Sequence, residues 1–484
     1  DCLDVLADKQ AIPDESVDLI YLDPPFNSKS KYNLPFKGKL RKDAKPVEAF
    51  NDTWSWNEFE TEELNRLKMN ANTKPIADVI EFARMANNEY KPSKKISDGA
   101  YLLNMSLRLL EMKKALKRTG SIYLHCDPTM SHYLKLVMDI IFGKKCFRNE
   151  IVWGYTGPGT KKAHQFNRKH DIIFWYSKSS KSKEWCFNSE AIRIEHDEKT
   201  RDNFKEDLIG SGFIRTPTAL SEDGKIPETW WVQKKGNGLA IAARQKYQYL
   251  GYPTQKPLAL LERIIKASSN EGDLILDPFC GCGTAIHAAE KLKRRWIGID
   301  ISTFSAGLMR ERIISNFKNI SAKDIRVVGV PLDVVGAKQL AKKDPFEFEK
   351  WVCGVIGAHG MFHEPGTRGS DGGVDGVINF GLYKGMEEKV EPSFALVQVK
   401  GGKVTPDSVR ALTHSVQHFQ AKAGIMVCFE DYMGTVENNR LKGTFGDLTG
   451  KYPVIQGFSI ECLLKDERPN LPPLLVRGDA KMVA

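Results

Sequence analysis

Two short stretches, in an unusual order, constrain this chain more than anything else in it. Asp23-Pro24-Pro25-Phe26 follows the apolar run Val17 to Leu22. Much later, Asp277-Pro278-Phe279-Cys280-Gly281-Cys282-Gly283-Thr284 follows Asp273 to Leu276. Both runs read as buried strands, and open α/β sheets carry their chemistry just beyond the carboxyl ends of such strands. One strand end offers a carboxylate, two prolines and an aromatic ring. The other offers a glycine turn that opens onto a helix. Together they point to an open α/β unit whose site holds a planar substrate beside a nucleotide-like cofactor.

The physical reading of each stretch is specific. Gly281 and Gly283 let the backbone turn tightly and approach a ligand closely. Asp300, ending the next strand, is spaced to accept hydrogen bonds from ribose hydroxyls. In the early motif the prolines lock φ, so the Pro24 carbonyl points in a set direction. An oxygen of Asp23 and that carbonyl can then accept both hydrogens of an exocyclic amine, with Phe26 stacked on the ring. The alternatives are an ordinary βα turn and a rigid surface turn.

Organisation follows from pattern. With 484 residues, two or three domains are expected. Residues 1–150 read as α/β, with 27–98 as loops and short helices, a helix from Leu102 to Leu116 stopped by Gly120, and a strand at 121–125. Residues 151–250, rich in Trp, Tyr, Gly and Lys, read as an inserted module. Residues 251–335 return to α/β, and 336–345 read as a basic connector. Residues 346–470 form a further unit, a helix followed by strands. The chain starts at Asp1 within an element already under way, so an earlier strand is expected. No apolar stretch is long enough to span a bilayer. Lys and Arg number 71 against 61 acids, a surplus compatible with a polyanionic partner. Nine scattered cysteines suggest reduced thiols and a cytoplasmic setting.

In the last unit, Gly369 to Ile378 contains Gly-Gly-Val-Asp-Gly, and Gln398-Val399-Lys400 follows in a strand. Residues i and i+2 of a strand share a face, so Gln398 and Lys400 point the same way. Asp375 with Gln398 makes a plausible hard-cation site, with Lys400 able to orient or deprotonate a bound water. Asp371 is read as shaping the turn.

Residues 1–320 resemble the β-class of DNA amino-methyltransferases, in which the Asp-Pro-Pro-aromatic turn precedes the Phe-x-Gly-x-Gly turn. Tyr252 to Leu258, Gly120 to Asp127 and Asn149 to Trp153 match that class as well. The resemblance implies a Rossmann-like fold with an inserted target-recognition module, S-adenosylmethionine as methyl donor, and the N6 amine of adenine favoured over N4 of cytosine. It implies Asp23, Pro24, Pro25 and Phe26 as catalytic. Asp1, Lys256, Pro257, Asp277, Phe279, Gly281, Gly283, Thr284 and Asp300 are implied around the cofactor. Residues 346–430 are similar to the Mrr-like branch of the PD-(D/E)xK nucleases, which implies a restriction-endonuclease-like α/β domain. Asp375, Gln398 and the helix acid Glu349 would hold Mg²⁺, and Lys400 would be the catalytic lysine.

The expectation is a methyltransferase joined to an endonuclease, acting on double-stranded DNA, with two copies needed for double-strand cleavage. Three other readings stay open: a solitary methyltransferase with a DNA-binding C-terminal unit, a methyltransferase half that only steers a nuclease, and an RNA substrate. His125 reads as structural.

Overall fold

The structure, a computed structural model, describes residues 1–27, 31–33, 48–90, 97–157, 164–181, 183–196, 221–234, 237–241, 254–331, 333–360, 373–384, 389–447, 449–465 and 467–472. Helix α1 (Cys2–Ala7) leads to strand β1 (Val17–Leu22), and a small ribbon, β2 (Lys31–Asn33) with β3 (Glu48–Asn51), follows the Asp-Pro-Pro-Phe turn. Helices α2 (Glu58–Met69), α3 (Lys74–Ala86) and α4 (Asp98–Ala115) come next, then β4 (Leu116–Cys126), α5 (Ser131–Met138), β5 (Phe147–Gly154), β6 (His170–Ser177) and β7 (Trp230–Val232). The unit closes with α6 (Leu258–Ser268), β8 (Leu274–Asp277), α7 (Thr284–Lys291), β9 (Arg295–Gly298) and α8 (Thr303–Asn316).

The seven strands lie in the order β7-β5-β6-β4-β1-β8-β9. β1 is central and pairs in parallel with both β4 and β8. A strand in that position is buried on both faces, which explains its unbroken apolar run. Val17, Ile20 and Leu22 enter the core beneath α1 to α5, whereas Leu19 and Tyr21 enter the core under α6 and α7. The site-bearing ends of β1 and β8 are therefore neighbours, although more than 250 residues separate the two turns.

Several expectations need correction. The stretch 151–250 is not a separate module from its start. β5 begins at Phe147, and β5, β6 and β7 are strands of the main sheet. Its aromatics Trp153, Trp175 and Tyr176 are core residues, and the rings of Trp175 and Tyr123 stack 5.5 Å apart. An aromatic-rich composition was thus a buried antiparallel pair, β5 with β6, inside the main sheet. Of the lysines that made this stretch look basic, Lys161, Lys162 and Lys235 lie outside the described residues. Gly120 does not stop a helix: α4 ends at Ala115 and Gly120 sits inside β4, where a Cβ would lie 2.9 Å from the Asp18 carbonyl. Within 27–98, α2 and α3 are full helices; α2 carries a capping box from Asn57 and Glu60.

The connector is also a helix, α9 (Val334–Lys343), whose Ala337 and Ala341 belong to the core of the last unit. α10 (Pro345–Val355) follows directly. A second sheet has the order β10 (His359–Gly360), β11 (Gly376–Lys384), β12 (Lys389–Lys400), β13 (Ala423–Cys428) and β16 (Ile455–Ser459). A small hairpin, β14 (Thr444–Asp447) with β15 (Gly450–Pro453), precedes β16. α9, α10 and the last helix α13 (Ile460–Leu464) cover one face, with α11 (Pro406–His418) and α12 (Met433–Asn439) on the other. The two units meet where α8 crosses α10. A Cβ on Gly307 would lie 2.5 Å from the Gly354 carbonyl, so the helices touch backbone to backbone.

Candidate active sites

A cavity of about 370 Å³ opens at the carboxyl ends of β1 and β8. It is lined by Asp23, Pro24, Pro25 and Phe26 from one side and by Asp277, Phe279, Gly281 and Thr284 from the other. Asp1, Lys256 and Asp300 also line it, so the predicted residues converge from five separate segments. Pro257 and Gly283 are the exceptions and do not line it. Gly283 works by conformation: its φ of 73° is the left-handed turn that starts α7, and Gly281 has φ 49°.

Asp23 is the centre of the site. Its Oδ2 accepts a 2.6 Å hydrogen bond from Lys256 Nζ, and that ammonium also lies 5.1 Å from the Phe26 ring centroid. Its Oδ1 is buried and accepts no hydrogen bond. A carboxylate oxygen kept in this condition is costly unless a donor arrives. The turn is anchored by Asn27, which sequence reading missed. Its φ of 58° is a conformation that Asn tolerates better than most residues. Its amide donates to Asp52 Oδ1 at 2.8 Å, and its Nδ2 donates to Asp98 Oδ1 at 2.6 Å.

The acids of the glycine side are held differently. Asp277 accepts from the Phe279 amide at 3.1 Å. Burial pushes its carboxyl well above the usual carboxylate range, and the charges of Asp23 and Asp300 add to this. Asp300 accepts from the Gly281 amide at 2.8 Å and the Ser302 amide at 2.9 Å, one on each oxygen. It therefore ties the glycine turn to the start of α8. It still has lone pairs for a ribose. Burial raises its carboxyl too, against those two amides. At the far end, Asp1 Oδ2 accepts from Arg108 Nη2 at 2.6 Å, and Arg108 is another wall residue that no motif announced. Thr284 is fixed by Arg312 Nη1, which donates to its hydroxyl at 3.0 Å.

His125 is better connected than a filler. It is fully buried, its Nδ1 lies 2.9 Å from the Tyr21 hydroxyl, and its Nε2 lies 3.1 Å from Asp171 Oδ2.

In the last unit, Asp375 precedes β11, and its Oδ2 accepts from the Val399 amide at 2.7 Å. That bond joins it to the strand bearing Gln398 and Lys400. Gln398 is buried, and its Oε1 has no hydrogen-bond partner. Gly373, at φ 75°, leaves room for it: a Cβ there would meet Gln398 Nε2 at 2.6 Å. Burial raises the Glu349 carboxyl, and the charge of Lys400 opposes that shift, so this helix acid faces the same region. Asp371 lies outside the described residues. Among the described residues no three His, Cys, Asp or Glu side chains cluster as a metal site. The set present, two carboxylates and an amide oxygen, is nonetheless the hard-oxygen type that suits Mg²⁺.

Residues 17–308 match the N6/N4 family of DNA methylases, and residues 340–438 match a restriction endonuclease family. The type II methyltransferase M.EcaI of Enterobacter cloacae is 29% identical over 289 residues, covering 49% of this chain and 62% of that protein. M.HpaI of Haemophilus parainfluenzae is 30% identical over 226 residues, 47% of this chain and 63% of its own length. The DNA adenine methyltransferase YhdJ of Escherichia coli (strain K12) is 26% identical over 316 residues, covering 65% and 82%. The chain thus spans less than two thirds of the length of M.EcaI and M.HpaI. Among solved structures, M1.HpyAVI aligns at 16% identity and a TM-score of 0.33, covering 66% of this chain and 96% of that one. The chain belongs to the DNA methylase family and carries a restriction endonuclease domain.

Proposed function

We propose that this protein transfers a methyl group to the N6 amine of adenine in double-stranded DNA, and that its C-terminal domain is a Mg²⁺-dependent endonuclease of a restriction–modification type. The observation that carries the first part is the buried, unsatisfied Oδ1 of Asp23 in a cavity shared with the glycine turn. S-adenosylmethionine, when bound, supplies a methyl already activated on a sulfonium. The chain's task is then alignment and charge, which can supply most of the acceleration. Asp23 Oδ1 and the Pro24 carbonyl would accept the two amine hydrogens, and Phe26 would stack on the base. Lys256 holds the other Asp23 oxygen in place. Phe279, Gly281 and Asp277 would surround the methionine end, and Asp300 and Asp1 the nucleoside end. The base must leave the duplex to reach this depth.

The part of 151–250 outside the main sheet is the proposed target-reading region. In the nuclease domain, Asp375, Gln398 and Glu349 would hold the cation. The bound ion would supply Lewis acidity and a more acidic water. Gln398 Oε1, buried without a partner, supports that role. Lys400 would orient the water. We place the protein in the cytoplasm, with two copies acting together on a duplex. Among the described residues no helix is long and apolar enough to cross a membrane.

The test is cleavage, with Mg²⁺, of two matched plasmids, one unmodified and one methylated beforehand by this protein. Cutting of the unmodified plasmid alone, with N6-methyladenine in the nucleosides of the pre-methylated one, is the expected result. Cutting of the methylated plasmid alone would reverse the biology to modification-dependent restriction. Methyl incorporation with no cutting would leave a methyltransferase with a silent nuclease fold. N4-methylcytosine in the product would move the substrate to the other base.

A further inference from the structure

A buried chain of polar side chains lies directly behind Asp23, and the methyl-transfer geometry above does not use it. His125 is wholly buried and Asp171 is 7% exposed. Two such groups in a protein interior are rarely left there without a partner or a task. Here they partner each other, and the set points at the catalytic carboxylate. His125 Nε2 lies 3.1 Å from Asp171 Oδ2. Tyr155 donates its hydroxyl to Asp171 Oδ1 at 3.1 Å. On the other side, His125 Nδ1 lies 2.9 Å from the Tyr21 hydroxyl and 3.9 Å from Asp23 Oδ1, the oxygen without a partner.

The donor and acceptor roles follow from charge. Burial would raise the Asp171 carboxyl, but the hydrogen bonds from His125 and Tyr155 and the charge of Lys256 hold it below its usual value. An ionised carboxylate only accepts. The proton on the ring must then sit on Nε2, which leaves the Nδ1 lone pair facing Tyr21 and Asp23. Burial, with Asp23, Asp277 and Asp171 nearby, keeps the Tyr21 phenol protonated, so it donates to Nδ1 at rest. The ring is wedged between Phe26, with centroids 5.7 Å apart, and the edge of Trp153, at 5.6 Å.

Resting on the function proposed above, we propose that His125 and Asp171 are positioning residues for Asp23 and the destination of the proton that the amine loses. As the amine nitrogen bonds to the methyl carbon, the carbon–sulfur bond breaks and its electron pair stays on sulfur. The nitrogen then sheds one proton and keeps that electron pair. Asp23 Oδ1 receives the proton and passes it to His125 Nδ1, after a side-chain rotation that closes the 3.9 Å gap and displaces the Tyr21 hydroxyl. The imidazolium is balanced by Asp171, as a buried carboxylate balances a histidine in other proton-transfer sites. Tyr155, only partly buried, forms the outer end of the chain. Lys256 stays on the opposite oxygen of Asp23 and keeps that oxygen from competing for the proton.

The experiment combines two readouts on full-length protein. ¹⁵N-histidine NMR without any ligand reports the tautomer of His125, assigned by its loss in His125→Asn. The wild type is expected to show the Nε2–H form, and Asp171→Asn to lose that preference. Single-turnover transfer of tritiated methyl groups into unmethylated plasmid DNA is then followed against pH, because product release otherwise hides the chemical step. Removing the Asp171 charge weakens the imidazole as a proton acceptor. Asp171→Asn should therefore slow transfer by about 10²-fold and move its acid limb to lower pH. Tyr155→Phe removes a donor from Asp171 and should move the limb the other way, with little effect on folding. A wild-type Nδ1–H tautomer overturns the proposal. So do variant profiles that only scale down in parallel with the wild type, the signature of a structural role. A wild type that transfers no methyl at all overturns the methyltransferase reading as well, so the two failures are distinguishable.

Discussion

Gly283→Ala is the substitution whose effect the structure sets out most fully. The residue has φ 73° and ψ 37°, the left-handed region, at the first turn of α7. An L side chain there costs about 1–2 kcal/mol. The new Cβ would also lie 2.5 Å from Met309 Cγ, 3.1 Å from its Cβ and 3.2 Å from its Sδ. Met309 is buried on α8, so its thioether can swing but its Cβ cannot retreat without moving the helix. Overpacking of this kind adds about 1–3 kcal/mol. The sum is about 2–5 kcal/mol, read as a loss of stability in denaturant unfolding. Met309→Ala removes the Cγ and Sδ contacts but leaves the 3.1 Å approach to Cβ and the backbone strain. In a double-mutant cycle the pair should therefore destabilise by about 1–3 kcal/mol less than the sum of the single changes. The binding of S-adenosylmethionine should weaken in Gly283→Ala, because Asp300 holds this turn through Gly281. A single substitution that costs under about 0.5 kcal/mol, or strict additivity with Met309→Ala, would refute the reasoning.

Three further expectations follow from particular contacts. Asp277 titrates above its unfolded value because it is buried, so folding favours its neutral form. Its contribution is intact below the unfolded carboxylate value and declines as pH rises towards the folded one; Asp277→Asn, which keeps the acceptor for Phe279, should gain thermal stability at pH 8 and show no gain near pH 4. Asp375→Ala or Lys400→Ala should abolish plasmid cutting and spare methyl transfer, whereas Asp23→Ala should lower transfer by at least about 10²-fold and spare cutting; loss of both activities in one variant would show that the two sites are not independent. Gly307→Val should force α8 and α10 apart at the Gly354 carbonyl, at about 1–3 kcal/mol, and lower the cooperativity of unfolding of the two units, which scanning calorimetry would resolve.

Much of the site was legible because its parts are short-range devices. A proline pair fixes a carbonyl direction wherever it occurs, and a glycine turn before a helix needs φ values that few other residues adopt. Hence Asp23 to Phe26 and Asp277 to Thr284 could be assigned to one site from the sequence, and apart from Gly283 they line one cavity from opposite sides. The shared face of Gln398 and Lys400 was legible in the same way, since alternation along a strand is a local rule, whereas the bond from the Val399 amide to Asp375 joins residues of different strands. Domain boundaries were read less well. The aromatics of β5 and β6 resembled an inserted module because composition does not say which sheet a strand joins. The lysines of 336–345 resembled a linker because the buried positions of α9 are the small residues Ala337 and Ala341, with Val334 and Leu340 only partly buried beside them.

What lay beyond the sequence has one physical cause, the pairing of groups far apart along the chain. No local pattern joins Lys256 to Asp23, Arg108 to Asp1, or His125 to Asp171, yet the first of these contacts decides which oxygen of Asp23 is left without a donor and the others fix the walls behind it. Burial is equally non-local: Asp277 and Asp300 look like ordinary strand-end acids until the sheet and its helices close over them and shift their protonation. The chain's covalent order is enough to specify the motifs, the strands that carry them and the two folds. The charge state and the open hydrogen-bond positions of the site come from the packing of β1, β4, β6 and β8 around it, because desolvation and Coulomb forces depend on distance in space and not on distance in sequence.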